Sequence, residues 1–361
     1  MSEEGQSNEV GGEADCPKSE KGGLVAGTAS EAAQLAIFST LGIPPELQKN
    51  AYQVLSRLAT SAAAWTASWM DDNRRERRAA SDARVLLLKK TNERIAERLD
   101  VSEDYVEAAK EIFAERIVQR RKNVDAIARG SVEEMRQLPA SDIAAANSSR
   151  TEVDEDWLNV FEMEAEQVTT EHGQKLFSRI LAGEINKPST FSKKTIKLLS
   201  QLDNRAADVF TRAASMTIAT HKVFDARVVG LGSVGGNSLA SFGLAYNDCT
   251  LLQDYGLVAA DLEGFCEYNV SIFKQGQPAM PFFYEKQNWL FKPIDDRAIA
   301  GFRLEGMKLT ASGMELLKVV DIVPNGPYTA ALKAHFLERG FTMHRVHWQT
   351  PSSFSVETQA A

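Results

Sequence analysis

The stretch LFSRILAGEINKPSTFSKKTIKLLSQLDNRAADVF, at residues 176–210, predicts three short helices joined by tight corners. Gly183 is placed to end the first helix as a left-handed cap. Ser192 and Asp203 can cap the next two helices, because their side-chain oxygens accept hydrogen bonds from the free N–H groups of a first turn. The first helix has apolar residues at helical spacing, namely Leu176, Phe177, Ile180 and Leu181. The stretch therefore predicts a compact helical unit.

The residues before this stretch extend the helical unit. Residues 151–168, TEVDEDWLNVFEMEAEQV, predict a helix with one apolar face, formed by Trp157, Phe161, Ala165 and Val168. The acidic residues at 154–156 favour the positive end of this helix, which is a structural role.

The series Trp157-x3-Phe161, followed by the stretch at 176–210, resembles a bacterial family catalogued as a domain of unknown function (number two thousand eight hundred and six). The run RILAGEI-x-x-P and the Phe–Ser step after it also resemble the abortive-infection alpha group. The most specific similarity covers residues 155–211, and the layout continues to LTASGMELLKVV at 309–320. The resemblance implies a bacterial, cytoplasmic protein in phage defence or stress response, and the family offers no catalytic residues to carry over.

The chain between Gly42 and Gly130 contains no other glycine and is rich in strong helix formers. Asp100 and Glu103 have the spacing of a capping box, which predicts a new helix start there. Apolar residues recur at helical spacing on both sides of this break: Leu88, Ile95, Leu99, Tyr105, Ala109, Ile112, Phe113 and Ile117. One apolar stripe between charged faces predicts helices that pack as a hairpin or bundle, or on a second copy of the chain.

A Trp–Arg segment lies just before these helices. Trp65 and Trp69 are four residues apart, on one face of a predicted helix, and arginines follow at Arg74, Arg75, Arg77 and Arg78. One interpretation is an interfacial anchor on anionic lipid, and a second places the arginines on nucleic-acid phosphates. The favoured interpretation is a core-facing Trp pair followed by a solvated charged turn. All three stay open at this point.

The run ARVVGLGSVGGN contains the spacing of a dinucleotide fingerprint, Gly230-x-Gly232-x-x-Gly235. The segment after it, SLASFGLAYND, is a poor helix, and Asp261 lies farther from the last glycine than the usual ~20 residues. The favoured interpretation is a glycine-rich loop between domains. Gly230, Gly232 and Gly235 remain weak cofactor-binding candidates, and no cofactor is expected.

The C-terminal half predicts strands at residues 266–273, 280–294 and 298–310, a short helix at 248–258, and a last helix followed by an edge strand at 342–350. This order is typical of a winged-helix-like α+β region. The candidate recognition helix at 248–258 has two aspartates and no Lys or Arg, so sequence-specific DNA binding is not expected.

Composition excludes several classes of protein. The chain has 361 residues, 43% of them hydrophobic, with a net charge of −8 and three cysteines. Three cysteines cannot build a disulfide framework, which favours the cytosol. No apolar run reaches the ~18 residues of a membrane span. Common catalytic and phosphate-binding motifs are missing from the sequence, and the five histidines are scattered. Neither a catalytic set nor a metal site is expected.

The predicted fold class is α+β: a helical N-terminal half of long charged helices, then a compact helical unit, then a winged-helix-like region. The predicted divisions are a disordered acidic tail at 1–23, a helical region at 24–149, the compact unit at 150–216, the α+β domain at 217–350 and a loose tail at 351–361. The function expected is that of a non-enzymatic interaction or sensor protein that forms a homo-oligomer or binds a protein partner. The alternatives are a membrane-perturbing effector at the inner membrane and a nucleotide-binding protein.

Overall fold

The computed structural model describes residues 39, 41–58, 103–140, 142–143, 152–220, 225–268, 280–295, 301–350 and 353–356. Several predictions lie outside these residues. They are the acidic tail at 1–23, the Trp–Arg segment, the capping residue Asp100, and the apolar positions Leu88, Ile95 and Leu99.

The first half of the described chain is helical. A 3-10 turn at Pro45–Leu47 leads into α1 (Gln48–Leu58), followed by α2 (Glu103–Arg136), α3 (Glu155–Ala165), α4 (Glu171–Asn186), α5 (Lys193–Gln201) and α6 (Asn204–Ser215). The long helix α2 packs closely along α4 at Gly130. A Cβ atom at Gly130 would lie 2.3 Å from Ser178 Oγ, so this contact requires glycine. Ser178 Oγ in turn lies 3.0 Å from the Ile127 carbonyl oxygen.

The predicted helix caps in this half are confirmed. Ser192 Oγ accepts a hydrogen bond from Thr195 N at 3.2 Å, and Asp203 Oδ1 accepts one from Ala206 N at 2.7 Å. The predicted apolar face of α3 is buried.

The predicted end of the fourth helix at Gly183 is wrong. Helix α4 continues to Asn186, with Gly183 inside it. The reason for a glycine is packing, because a Cβ atom there would lie 2.8 Å from Cε2 of Phe191.

The second half of the described chain contains one antiparallel sheet. Its strands are β1 (Thr217–Thr220), β2 (Asp225–Val229), β3 (Phe265–Tyr268), β4 (Met280–Tyr284), β5 (Gln287–Pro293), β6 (Phe302–Lys308), β7 (Phe341–Thr350) and β8 (Ser353–Val356). The strand order is β3-β6-β2-β1-β4-β5-β7-β8. The helices among these strands are α7 (Tyr246–Asp254), α8 (Ala311–Leu317) and α9 (Gly326–Glu338), with a 3-10 turn at Ala240–Phe242.

The mixed α and β class, with helices first and a sheet second, is thereby confirmed. The finer prediction of a winged-helix-like unit is not confirmed, since the described strands belong to one sheet of eight. The predicted edge strand at 342–350 is wrong, because β7 pairs with β5 on one side and with β8 on the other. Residues 353–356, predicted within a loose tail, form β8 and pair with the free backbone edge of β7.

Helix α9 covers one face of the sheet. Tyr328 on α9 is fully buried, and its hydroxyl donates a hydrogen bond to the Val229 carbonyl oxygen at 2.7 Å. Phe336 on the same helix packs on two sheet residues, Phe291 and Phe302, at ring-centroid distances of 4.5 and 5.9 Å. Helix α8 lies toward the opposite face, where the cavity described below is found.

Candidate functional site

A cavity of about 630 Å³ lies between α8 and the sheet. Its floor is formed by Ala219, Ala226 and Phe283, which are direct partners in neighbouring strands and so point to the same side of the sheet. Met314 and Leu317 of α8 line it from above. A largely apolar cavity of this volume is typical of small-molecule sites.

Two lysines line this cavity, Lys286 and Lys318. Neither ammonium group has an ion-pair or hydrogen-bond partner among the residues that the structure describes. Partial desolvation lowers the pKa of both lysines, although both side chains keep substantial exposure. The Lys318 ammonium lies 5.8 Å from the ring centroid of Phe191. The cavity therefore holds two cations without a protein counter-ion in direct contact.

The carboxylates of Asp225, Glu285 and Glu315, which also line the cavity, already have partners. Asp225 Oδ2 accepts a hydrogen bond from Arg227 Nε at 2.7 Å, and its Oδ1 lies 3.8 Å from Lys308 Nζ. Glu285 Oε1 accepts hydrogen bonds from Asn325 N at 3.2 Å and Thr329 Oγ1 at 3.1 Å, which ties the β4–β5 turn to the start of α9. Glu315 Oε2 accepts one from Ser192 N at 2.7 Å. The uncommitted charge in the cavity is therefore positive.

Lys286 is held at the cavity by an unusual turn. Strands β4 and β5 form a hairpin in which Tyr284 pairs with Gln287, so Glu285 and Lys286 are the two turn residues. Their φ angles are +51° and +57°. Turns with positive φ at both positions favour Asn-Gly, and a bulky residue there costs roughly 1 kcal/mol or more. The chain keeps a lysine beside the cavity at a cost in backbone energy.

The corner between α4 and α5 forms another side of the cavity, through Thr190. The buried Glu184 carboxylate organises this corner, because it accepts hydrogen bonds from Ser189 N at 2.6 Å and from Thr190 N and Phe191 N at 3.0 Å each. Burial raises the pKa of Glu184, and the three N–H groups oppose that rise. Trp157 Nε1 donates to the Phe191 carbonyl oxygen at 2.7 Å. The run RILAGEI-x-x-P thus has a structural role: it fixes a corner.

A buried ion pair lies in β2, next to the cavity. Asp225 and Arg227 are 3% and 6% exposed, and Arg227 Nε donates to Asp225 Oδ2 at 2.7 Å. Arg227 also donates to the Gly306 carbonyl oxygen at 3.1 Å, and the Tyr268 hydroxyl lies 3.3 Å from Asp225 Oδ2. Asp225 also lines the cavity, together with Thr220 of β1, so the pair connects the sheet core to the wall of the cavity.

The N-terminal half of α2 carries an exposed apolar surface. Ile112, Phe113 and Ile117, here called the α2 face, are 53%, 51% and 43% exposed. They lie within about 140° of the helix circumference, and the same side of α2 is buried farther along, at Val124, Ile127 and Met135. Every residue from 111 to 120 is exposed. The face thus extends past the α3–α4 corner, where Asn123 Nδ2 donates to the Glu166 carbonyl oxygen at 2.9 Å.

The glycine-rich candidates lie together in the loop after β2. Gly232 has a φ angle of +150°, and the loop continues through turns into the 3-10 turn at Ala240–Phe242 rather than into an α-helix. The backbone N–H of Gly235 donates to Glu263 Oε1 at 3.1 Å, and Ser233 Oγ donates to the same oxygen. A carboxylate of the chain therefore already occupies a donor that a pyrophosphate would need.

The structure gives no geometry for the Trp–Arg segment. Trp65, Trp69, Arg74, Arg75, Arg77 and Arg78 lie outside the described residues. Among the residues that are described, no three His, Cys, Asp or Glu side chains form a cluster that could hold a metal ion. No helix in the described ranges has both the length and the apolar character needed to cross a bilayer.

Sequence reasoning missed Glu184, Lys286 and Lys318. An acidic residue among apolar helix positions, three residues before a lysine–proline turn, is a signal that could have identified Glu184 as a buried acceptor. No local signal marks the two lysines, because they come together only when the β4–β5 hairpin and α8 face the same cavity.

Comparison with known proteins gives one match. The model of a family described as Protein of unknown function (DUF2806) matches residues 115–333. Among curated proteins and among solved structures, none matches the chain.

Proposed function

The chain belongs to the family of unknown function DUF2806, and from this premise we propose that it is a non-enzymatic interaction protein that binds a second copy of itself through the α2 face. The observation that carries the proposal is the exposure of Ile112, Phe113 and Ile117 on one side of a helix. Contiguous apolar surface on a water-exposed helix favours association, because burying it removes the surface from water.

A second copy of the chain is the partner that the α2 face fits, because the same apolar surface on two copies can pack about a two-fold axis. Arg116 and Arg120 lie on the same side of the helix as this face, and Arg120 already pairs with Glu166 of the same chain at 4.0 Å. Glu111 lies on the opposite side of the helix, together with Val118, and so lies outside such an interface.

We expect the triple variant Ile112→Ser, Phe113→Ser, Ile117→Ser to be a monomer at concentrations where the wild type is a dimer, measured by light scattering during gel filtration. The control is Val118→Ser, which removes an equally exposed apolar residue from another side of the same helix and should leave the dimer intact. A wild type that stays monomeric at all concentrations contradicts the proposal. If the wild type is monomeric and the triple variant has a lower free energy of unfolding than the wild type, other residues of the same chain cover the α2 face.

As the biological setting we propose phage defence or a stress response. The support is the resemblance of RILAGEI-x-x-P to the abortive-infection alpha group. The membrane-perturbing and nucleotide-binding alternatives, and the winged-helix-like comparison, stay predictions.

Plating efficiency tests this setting. Bacteria that express the wild type should resist part of a phage panel, whereas cells that express the triple variant at equal protein level should not. Equal plating on cells with and without the wild-type protein, across the whole panel, would remove phage defence from the proposal and leave self-association to its own test.

A further inference from the structure

We infer that the cavity between α8 and the sheet binds a small organic anion with an apolar body. This binding does not depend on the self-association proposed above. Three features of the cavity carry this inference: its size and apolar floor, its two uncommitted lysines, and the backbone geometry that holds one of them in place.

The apolar part of the ligand is specified by the floor and the roof of the cavity. Ala219 and Ala226 are small residues in central strands, and they leave space between the sheet and α8. Phe283 on the floor is 37% exposed, although it lies in a strand with neighbours on both sides. About 630 Å³ between these surfaces admits a body of two or three fused or linked rings, or a folded alkyl chain.

The charge of the ligand is specified by Lys286 and Lys318. The carboxylates that line the cavity, Asp225, Glu285 and Glu315, are engaged by groups of the chain. An anionic head group next to either lysine would supply the counter-ion that this lysine lacks among the described residues. Attraction between opposite charges is stronger in a partly desolvated cavity than in bulk water, so the lysines favour an anion over a neutral molecule of the same shape.

The turn at Glu285 and Lys286 indicates that the lysine has a role other than stability. Glycine would adopt the positive φ angle of residue 286 without strain. A lysine there is unfavourable for the hairpin, and backbone strain of this kind is often retained at ligand sites. This makes a variant available that lowers binding without lowering stability.

The test compares two fluorescent probes that differ by one group. 1-Anilinonaphthalene-8-sulfonate carries a sulfonate, and N-phenyl-1-naphthylamine has the same ring system without it. We expect the wild type to bind one molecule of the sulfonate per chain, about five- to ten-fold more tightly than the neutral probe. Lys318→Met and Lys286→Gly should each weaken binding of the sulfonate about five-fold and leave binding of the neutral probe unchanged.

Two controls separate binding from folding. Lys194→Met removes an exposed lysine that does not line the cavity, and it should bind both probes as the wild type does. Lys286→Gly should unfold at the same temperature as the wild type or higher, so its loss of binding cannot come from unfolding. Equal affinity for the two probes, several weak sites per chain, or unchanged sulfonate binding in both lysine variants would overturn the inference. The result does not depend on whether the α2 face forms a dimer, since the cavity lies on other elements.

Discussion

Replacing Glu184 by alanine is expected to lower the free energy of unfolding by about 2–4 kcal/mol. The reason is that three backbone N–H groups, of Ser189, Thr190 and Phe191, lose their acceptor in a partly closed corner. Buried donors without partners cost roughly 1–3 kcal/mol each, and the relief from burying a carboxylate offsets part of that sum. Urea denaturation followed by circular dichroism measures the loss.

Two variants bracket this prediction. Glu184→Gln keeps the shape and one acceptor oxygen but turns an amide N–H₂ toward backbone donors, so its loss should be smaller than that of the alanine variant. Glu315→Ala removes a single hydrogen bond to the same corner, at Ser192 N, and should cost only about 1 kcal/mol. Equal losses in Glu184→Ala and Glu315→Ala would show that Glu184 does not hold the corner together.

The raised pKa of Glu184 also sets a pH dependence. Between the ordinary pKa of a glutamate and the raised value, the folded state binds more protons than the unfolded state. The contribution of this group to stability therefore declines as the pH rises through that window, and it is fully present on the acid side. The E184Q variant does not titrate there, so the stability advantage of the wild type over E184Q should narrow as the pH rises. An advantage that widens over the same range contradicts the sign.

Asp225→Ala is the second large effect, with an expected loss of about 3–5 kcal/mol. It leaves the Arg227 guanidinium buried with the Gly306 carbonyl oxygen as its remaining hydrogen-bond partner among those described above. Removing one partner of a buried ion pair is strongly destabilising, because the desolvated charge that remains has no counter-ion. The intact pair contributes much less to the free energy of unfolding. Thermal or urea unfolding measures the loss directly.

A double variant shows whether the cost comes from the isolated charge. Asp225→Ala combined with Arg227→Met should be more stable than Asp225→Ala alone, because no charge is then left in the core. The control is Glu305→Ala, which breaks an exposed ion pair between Glu305 and Arg303, both in β6. It should change the free energy of unfolding by less than about 1 kcal/mol. A loss below about 1 kcal/mol for Asp225→Ala, or a double variant worse than the single one, contradicts this account.

The features that the sequence predicted correctly depend on interactions between residues close together in the chain. The caps at Ser192 and Asp203 and the apolar face of α3 depend on neighbours within one or two helical turns, and all of these are as predicted. The role of Gly183 was not predictable in this way, because the Phe191 ring that excludes a Cβ atom returns from beyond the corner. Propensity favoured a helix end, and packing decided otherwise.

The cavity could not be predicted from the sequence. Residues 280–294 are rich in aromatic residues, as strands are, and no Asn-Gly marks the reversal at residues 285 and 286, so local turn preferences do not reveal the hairpin. Lys286 and Lys318 lie in different elements and share a cavity only through the tertiary fold. The sequence did not predict for a similar reason that β8 pairs with β7. Strand pairing depends on the partner strand more than on the local composition of residues 353–356.

The order of strands has a consequence for how the chain matures during synthesis. Helices α3 to α6 are local structures and can form soon after they leave the ribosome. Strand β2 is different: all five of its residues are buried, and its neighbour β6 pairs Lys308 with Arg227, about 80 residues later in the chain. Until β6 is translated, one backbone edge of β2 has no partner strand and its apolar residues have no cover. We expect the growing chain to be prone to aggregation in the interval between these two strands, because an unpaired strand edge is then exposed.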